Sequence, residues 1–166
     1  MNITLIGMPG CGKSTVGREL AQRLSMRFVD VDDVIMERTG LSLRQIIEEQ
    51  GDEGFRRIED EANASLVLQG SVIAPGGSVV YGSRAMEHLK QISTVVYLDT
   101  SLEDLRRRLR DLHARGVTFK PGQTLEDLYN ERTPLYKKYA RVTVNTDGKN
   151  VHQLVREIRE ALKQVP

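Results

Sequence analysis

Residues 7–14, Gly7-Met8-Pro9-Gly10-Cys11-Gly12-Lys13-Ser14, satisfy the pattern G-x-x-x-x-G-K-[ST] at every fixed position. The flanks restrict the fold more than the pattern does. Before it runs Ile3-Thr4-Leu5-Ile6, apolar and β-branched as in a buried strand. After it Val16, Leu20 and Leu24 recur every four residues, the stripe of an amphipathic helix. A glycine loop between a strand and a helix turns backbone N–H groups inward, and the helix start adds its positive dipole end. That is a cradle for phosphate, drawn from Gly10, Cys11, Gly12, Lys13, Ser14 and Thr15. Lys13 can reach the β- and γ-phosphates, and the Ser14 hydroxyl can ligate Mg²⁺. ATP and Mg²⁺ are therefore the expected cofactors.

The rest of the chain alternates strands and helices. Phe28-Val29 reads as a short strand whose end carries Asp30, Asp32 and Asp33. Ligands of open α/β sheets bind beyond such strand ends. If strand geometry persists, Asp30 and Asp32 project to one side: one suits the Mg²⁺ shell and one an acceptor hydroxyl, while Asp33 reads as a cap on a helix over 34–38. Ser42 is a plausible N-cap for a helix that Gly51 ends, and a new helix begins near Asp52 with the stripe Phe55, Ile58, Ala62 and Leu66. Arg56 and Arg57 flank that stripe, which taken alone is the place of solvated charges. Ser71-Val72-Ile73-Ala74 is a third strand. Gly76 and Gly77 after it allow close approach of a ligand, although such pairs also make ordinary loops. Thr94 to Leu98 is a fourth strand. Ser101 caps a helix with the stripe Leu102, Leu105, Leu109 and Leu112, which ends in the basic cluster Arg106, Arg107, Arg108, Arg110, His113 and Arg115. His113 has no partner pattern and reads as a surface residue. The segment 113–124 holds Gly116, Pro121 and Gly122 and has the character of a mobile lid. In it Arg115 is favoured over Lys120 as the cation closing on phosphate, because a guanidinium fork bridges two oxygens. Pro134 is expected to kink or interrupt the helix that starts near Leu125. Arg141 to Val144 is a fifth strand, and Val151 to Leu162 a last amphipathic helix. The pattern implies a single α/β domain of 166 residues, a parallel sheet with helices on both faces.

A formal net charge of +1 gives no field that would draw nucleic acid or a membrane. The chain opens into a strand rather than a signal peptide, no apolar run is long enough to span a bilayer, and the one cysteine, Cys11, suits a reducing cytoplasm. A cytoplasmic monomer acting on a small molecule is expected.

The phosphate loop, Phe28-x-Asp30-x-Asp32, Phe55-Arg56-Arg57-Ile58-Glu59, Gly76-Gly77, Val95-Val96-Tyr97-Leu98 and Arg132-x-Pro134-Leu135-Tyr136 stand in one order along nearly the whole chain. In this the chain resembles the shikimate kinase family. The resemblance implies a P-loop kinase fold, a three-layer sandwich with a five-stranded parallel sheet in the order 2-3-1-4-5. It implies transfer of the ATP γ-phosphate to the 3-hydroxyl of shikimate, on the route to aromatic amino acids. It implies Asp32 at the acceptor hydroxyls, a place from which it can act as base, and Asp30 near the Mg²⁺ shell. Arg56 and Arg132 would hold the acceptor carboxylate, Gly76 and Gly77 would lie against the substrate, and Arg107 or Arg108, of which Arg108 is preferred, would cover the adenine. The substrate-binding segment would span about 32–60. Two departures stand out: Pro75 replaces the first of three family glycines, and no Arg-Pro-Leu-Leu element occurs in the lid. They support one alternative, a P-loop kinase of another small hydroxy acid or polyol; the alternative from a different class is a non-catalytic nucleotide-binding regulatory module, against which the intact Lys13, Ser14, Asp30 and Asp32 argue.

Overall fold

The structure is a computed structural model and describes residues 1–109 and 121–166. Five parallel strands, β1 (Asn2–Ile6), β2 (Arg27–Asp30), β3 (Ser71–Ala74), β4 (Ser93–Asp99) and β5 (Val142–Asn145), form one sheet in the order β2-β3-β1-β4-β5. β1 lies at the centre and each of its residues is buried, so both faces of the sheet are covered. This is why β1, β3 and most of β4 read as continuous apolar runs instead of alternating ones. The helices among the described residues are α1 (Lys13–Arg23), α2 (Val31–Thr39), α3 (Leu43–Ala64), α4 (Ser83–Ile92), α5 (Leu102–Arg108), α6 (Leu125–Tyr139) and α7 (Val151–Lys163), with a 3-10 helix over Gly77–Tyr81. α1 packs with α7 and α3 with α4. The core joins Leu5, Val16, Leu20, Ile73, Val96 and Ile158.

Local chemistry sets the boundaries. Ser42, Thr124 and Asn150 start α3, α6 and α7 as reciprocal capping boxes with Gln45, Asp127 and Gln153. Gly51 interrupts α3 with φ 72° and ψ 179°, as the glycine in that pattern predicts.

The fold departs from three expectations. α2 begins at Val31, three residues early, so Asp32 lies in the first turn of a helix and does not continue a strand. The cap is Asp30, not Asp33: its carboxylate accepts from the Asp32 N–H at 2.9 Å. A helix starting there satisfies an otherwise orphaned N–H at once. Pro134 does not interrupt α6, which runs on to Tyr139. The buried Arg132 and Tyr136 hold it to the core on both sides of the proline. α5 stops at Arg108, with Leu109 extended. Leu112 and the rest of 110–120 lie outside the described residues, and with them Arg110, His113, Arg115, Lys120 and most of the expected lid.

Candidate active site

The segments that follow β1, β2 and β3 meet at one end of the sheet, where the crossover between neighbouring strands leaves a crevice. They surround a cavity of about 830 Å³. Its floor is the loop from Pro9 to Thr15; Asp30, Asp32 and Asp33 form one wall and Ala74 to Gly77 another. Met36, Leu43 and Arg44 close the side towards α3, and Arg108 the far rim.

The loop is shaped for an anion. Gly12 caps α1 with φ +99°, a conformation that L side chains rarely adopt, and no side chain caps the helix start or places an acid in its first turn. The first N–H groups of α1 are thus left for phosphate oxygens. Lys13 is folded along the loop, its Nζ donating to Gly7 O at 2.7 Å and Met8 O at 3.0 Å. Ser14 and Thr15 line the cavity. Cys11 is buried; its N–H donates to Met8 O at 3.1 Å, so it shapes the loop. Arg108 donates to Gly10 O at 3.1 Å and lines the cavity, whereas Arg107 is exposed and paired with Asp104. Of the two arginines, Arg108 stands against the glycine loop.

The carboxylates are electrostatically loaded. Burial pushes the Asp32 carboxyl up to about 7; the charges of Asp30 and Glu59 add to this and Lys13 opposes it. Burial also raises Asp30, against the hydrogen bond from the Asp32 N–H. Oδ1 of Asp32 and Oε2 of Glu59 are buried and without a hydrogen-bond partner. Both face the glycine turn: a Cβ on Gly76 would lie 2.5 Å from Glu59 Oε2 and 3.4 Å from Asp32 Oδ1. A side chain there would have to displace the Glu59 carboxylate. Glu59 is fully buried, its other oxygen accepting from the Ser78 hydroxyl, and burial drives its carboxyl upward while Arg132 and Arg56 hold it down.

Arg56 and Arg132 meet at the Tyr81 ring, with guanidinium carbons 4.1 and 5.2 Å from its centroid. Arg132 is buried, and a Cβ on Gly77 would lie 3.0 Å from its Nη1. Arg56 lines a second cavity, of about 450 Å³, together with Glu59, Ser78 and Tyr81. The two cavities adjoin at residues 76–78. The structure therefore gathers Lys13, Ser14, Asp30, Asp32 and Arg108 on one side of the turn, and Arg56, Arg132 and Glu59 at the other.

The donor set also bears on the metal. Among the described residues no three of His, Cys, Asp and Glu are grouped to hold an ion by themselves. Ser14 and the Asp30 carboxylate fit a cation that takes its remaining ligands from phosphate and water, which is the habit of Mg²⁺.

Glu59, Tyr81 and Arg44 were not singled out from the sequence as site residues. Glu59 could have been: it falls four residues after Phe55 and three before Ala62, a carboxylate on a buried stripe.

Comparison with known proteins agrees with this fold. The family model described as shikimate kinase matches residues 9–163. Shikimate kinase of Vibrio campbellii is 41% identical over 166 residues, covering 98% of this chain and 96% of its own length. That of Haemophilus influenzae is 39% identical, covering 95% and 89%. Among solved structures, shikimate kinase from Acinetobacter baumannii in complex with shikimate superposes with a TM-score of 0.88 at 34% identity, covering 99% of this chain and 95% of that one. The enzyme from Aquifex aeolicus gives 0.85 at 34% identity, covering 98% and 96%. Family match, full-length relatives and fold together show that the chain belongs to the shikimate kinase family, a family of ATP-dependent kinases.

Proposed function

We propose that this protein transfers the γ-phosphate of ATP to the 3-hydroxyl of shikimate. One observation carries the reading: a carboxylate with an unpartnered oxygen, Asp32, and two arginines, Arg56 and Arg132, stand about one glycine turn. A hydroxylated ring acid lying against Gly76 and Gly77 would offer its carboxylate to the arginines and a hydroxyl to Asp32. The nucleotide would enter on the loop, with phosphates on the α1 N–H groups and Lys13 and the adenine end beside Arg108. Mg²⁺, held by Ser14 and Asp30, would neutralise charge on the phosphates. Asp32, titrating near neutrality, would accept the acceptor proton. The lone thiol of Cys11 fits a reducing cytoplasm.

The arginines supply the test. A guanidinium bound to a carboxylate is a charge-assisted, two-pronged contact, and its loss costs roughly 10-fold or more in affinity. Arg56→Ala and Arg132→Ala should each raise the acceptor KM by about that factor and leave the ATP KM nearly unchanged. Because Arg132 is buried, its variant is read beside its Tm. Lysine at either position should rescue only in part, since an ammonium lacks the planar fork. An acceptor whose carboxylate is converted to the amide should be a poor substrate of the parent enzyme. Equal use of acid and amide would overturn the reading in favour of an uncharged polyol.

A further inference from the structure

Tyr81 ends the 3-10 helix that begins at Gly77, and it joins the two arginines into one unit. Arg56 comes from α3 and Arg132 from α6, and both guanidinium groups lie on the Tyr81 ring. The hydroxyl accepts from Arg132 Nε at 3.3 Å and donates to Glu131 Oε1 at 2.7 Å. Glu131 is steadied in turn, its Oε2 accepting from Gln123 at 2.8 Å. Burial and the bond to Glu131 push the phenol pKa up, so the hydroxyl keeps the proton it donates.

Two guanidinium ions brought to one ring repel, and the half-buried Arg56 carries rotamer freedom that binding an anion would have to freeze. An aromatic face attracts both cations, and the hydroxyl fixes the plane of one about its Nε. We propose that Tyr81 is the positioning residue of the acceptor clamp: ring and hydroxyl hold Arg56 and Arg132 in one arrangement before the acid arrives. It thereby sets affinity for acidic acceptors. The inference rests on the reading of Arg56 and Arg132 as the groups that hold the acceptor carboxylate. Tyr81 itself acts through them, and the ordering it supplies in advance is ordering that binding would otherwise have to impose.

Steady-state kinetics with shikimate and ATP on four variants test this. Tyr81→Leu removes ring and hydroxyl and should raise the acceptor KM about 10-fold, with the ATP KM within about 2-fold of the parent. Tyr81→Phe keeps the ring and should raise it only about 3-fold. In an Arg56→Ala background the Tyr81→Leu substitution should add clearly less than it does in the parent, because part of what it positions is already gone. An unchanged acceptor KM in both single variants would overturn the proposal. So would an equal fold-change with and without Arg56, or an ATP KM and Tm that move together with the acceptor KM in Tyr81→Phe, which is the mark of a merely structural side chain. Should Tyr81→Leu fail to fold, Tyr81→Phe decides alone. If Arg56→Ala leaves the acceptor KM unaltered, the clamp reading itself falls and takes Tyr81 with it; if Arg56→Ala raises it and the Tyr81 variants do not, only Tyr81 is dismissed.

Discussion

Lys13→Ala should lower kcat by roughly 10²-fold or more, at saturating ATP and Mg²⁺, in a protein that still folds. Phosphoryl transfer asks little covalent chemistry of the protein; the work is to neutralise and orient a charged group in flight. Lys13 is the cation at the root of the phosphate loop, and its ammonium donates to two carbonyls of that loop, Gly7 O and Met8 O. A bound nucleotide would offer its phosphate oxygens to the same ammonium. In the variant the two carbonyls lose that donor beside the open cavity, a cost on the order of 1 kcal/mol that a folded domain tolerates. A second readout separates charge from packing. Lys13 pulls the Asp32 carboxyl downward. Without it the acid limb of whatever activity remains should move to higher pH. Turnover close to the parent value would remove Lys13 from the reaction.

Asp32→Asn should cost roughly 10²–10⁴-fold in turnover and much less in ATP affinity. In the parent, turnover should fall as pH drops through about 7, where Asp32 takes up a proton, and the variant should lack that limb. The same residue should show in stability, with a definite sign. Its carboxyl is raised from 3.8 to about 7, so between those values the folded chain holds a proton that the unfolded chain has released. Stability therefore falls as pH rises through this window, with a slope of at most about 1.4 kcal/mol per pH unit. Asparagine carries no such penalty. The variant should melt higher than the parent near pH 8, with the gap closing towards pH 4. An equal or lower Tm near pH 8 would show that Asp32 is not held at a cost. Loss of ATP affinity at unchanged turnover would instead exchange the roles of Asp32 and Asp30.

Much of the fold was legible in the sequence because the signals were local. The loop glycines, the apolar run of Ser71–Ala74 and the caps Ser42 and Ser101 each announce their structure within a few residues. The errors arose where two local rules compete. After Phe28-Val29 the aspartates can continue a strand or cap a helix, and the bond from the Asp32 N–H to Asp30 decides for the cap. At Pro134 helix propensity argues for a break, but the burial of Arg132 and Tyr136 on either side overrides it. The site was less legible than the fold. Lys13, Ser14 and the aspartates lie in contiguous motifs, whereas Arg56 from α3, Arg132 from α6 and Tyr81 from the 3-10 helix converge only through tertiary packing. No spacing along the chain encodes that meeting. The resemblance to a known family named the arginines in advance; Tyr81, between them, became visible only in the fold.

Transfer from ATP to one hydroxyl of a ring acid leaves a definite product, and that product is the thing to measure. The protein is incubated with ATP, Mg²⁺ and shikimate, ADP is quantified, and the phosphorus species are assigned by ³¹P NMR. ADP formation should depend on shikimate, and each ADP should be matched by one phosphomonoester at the 3-position with little inorganic phosphate. ADP formed at the same rate without shikimate, or matched by inorganic phosphate alone, would mean that this chain does not phosphorylate the acid.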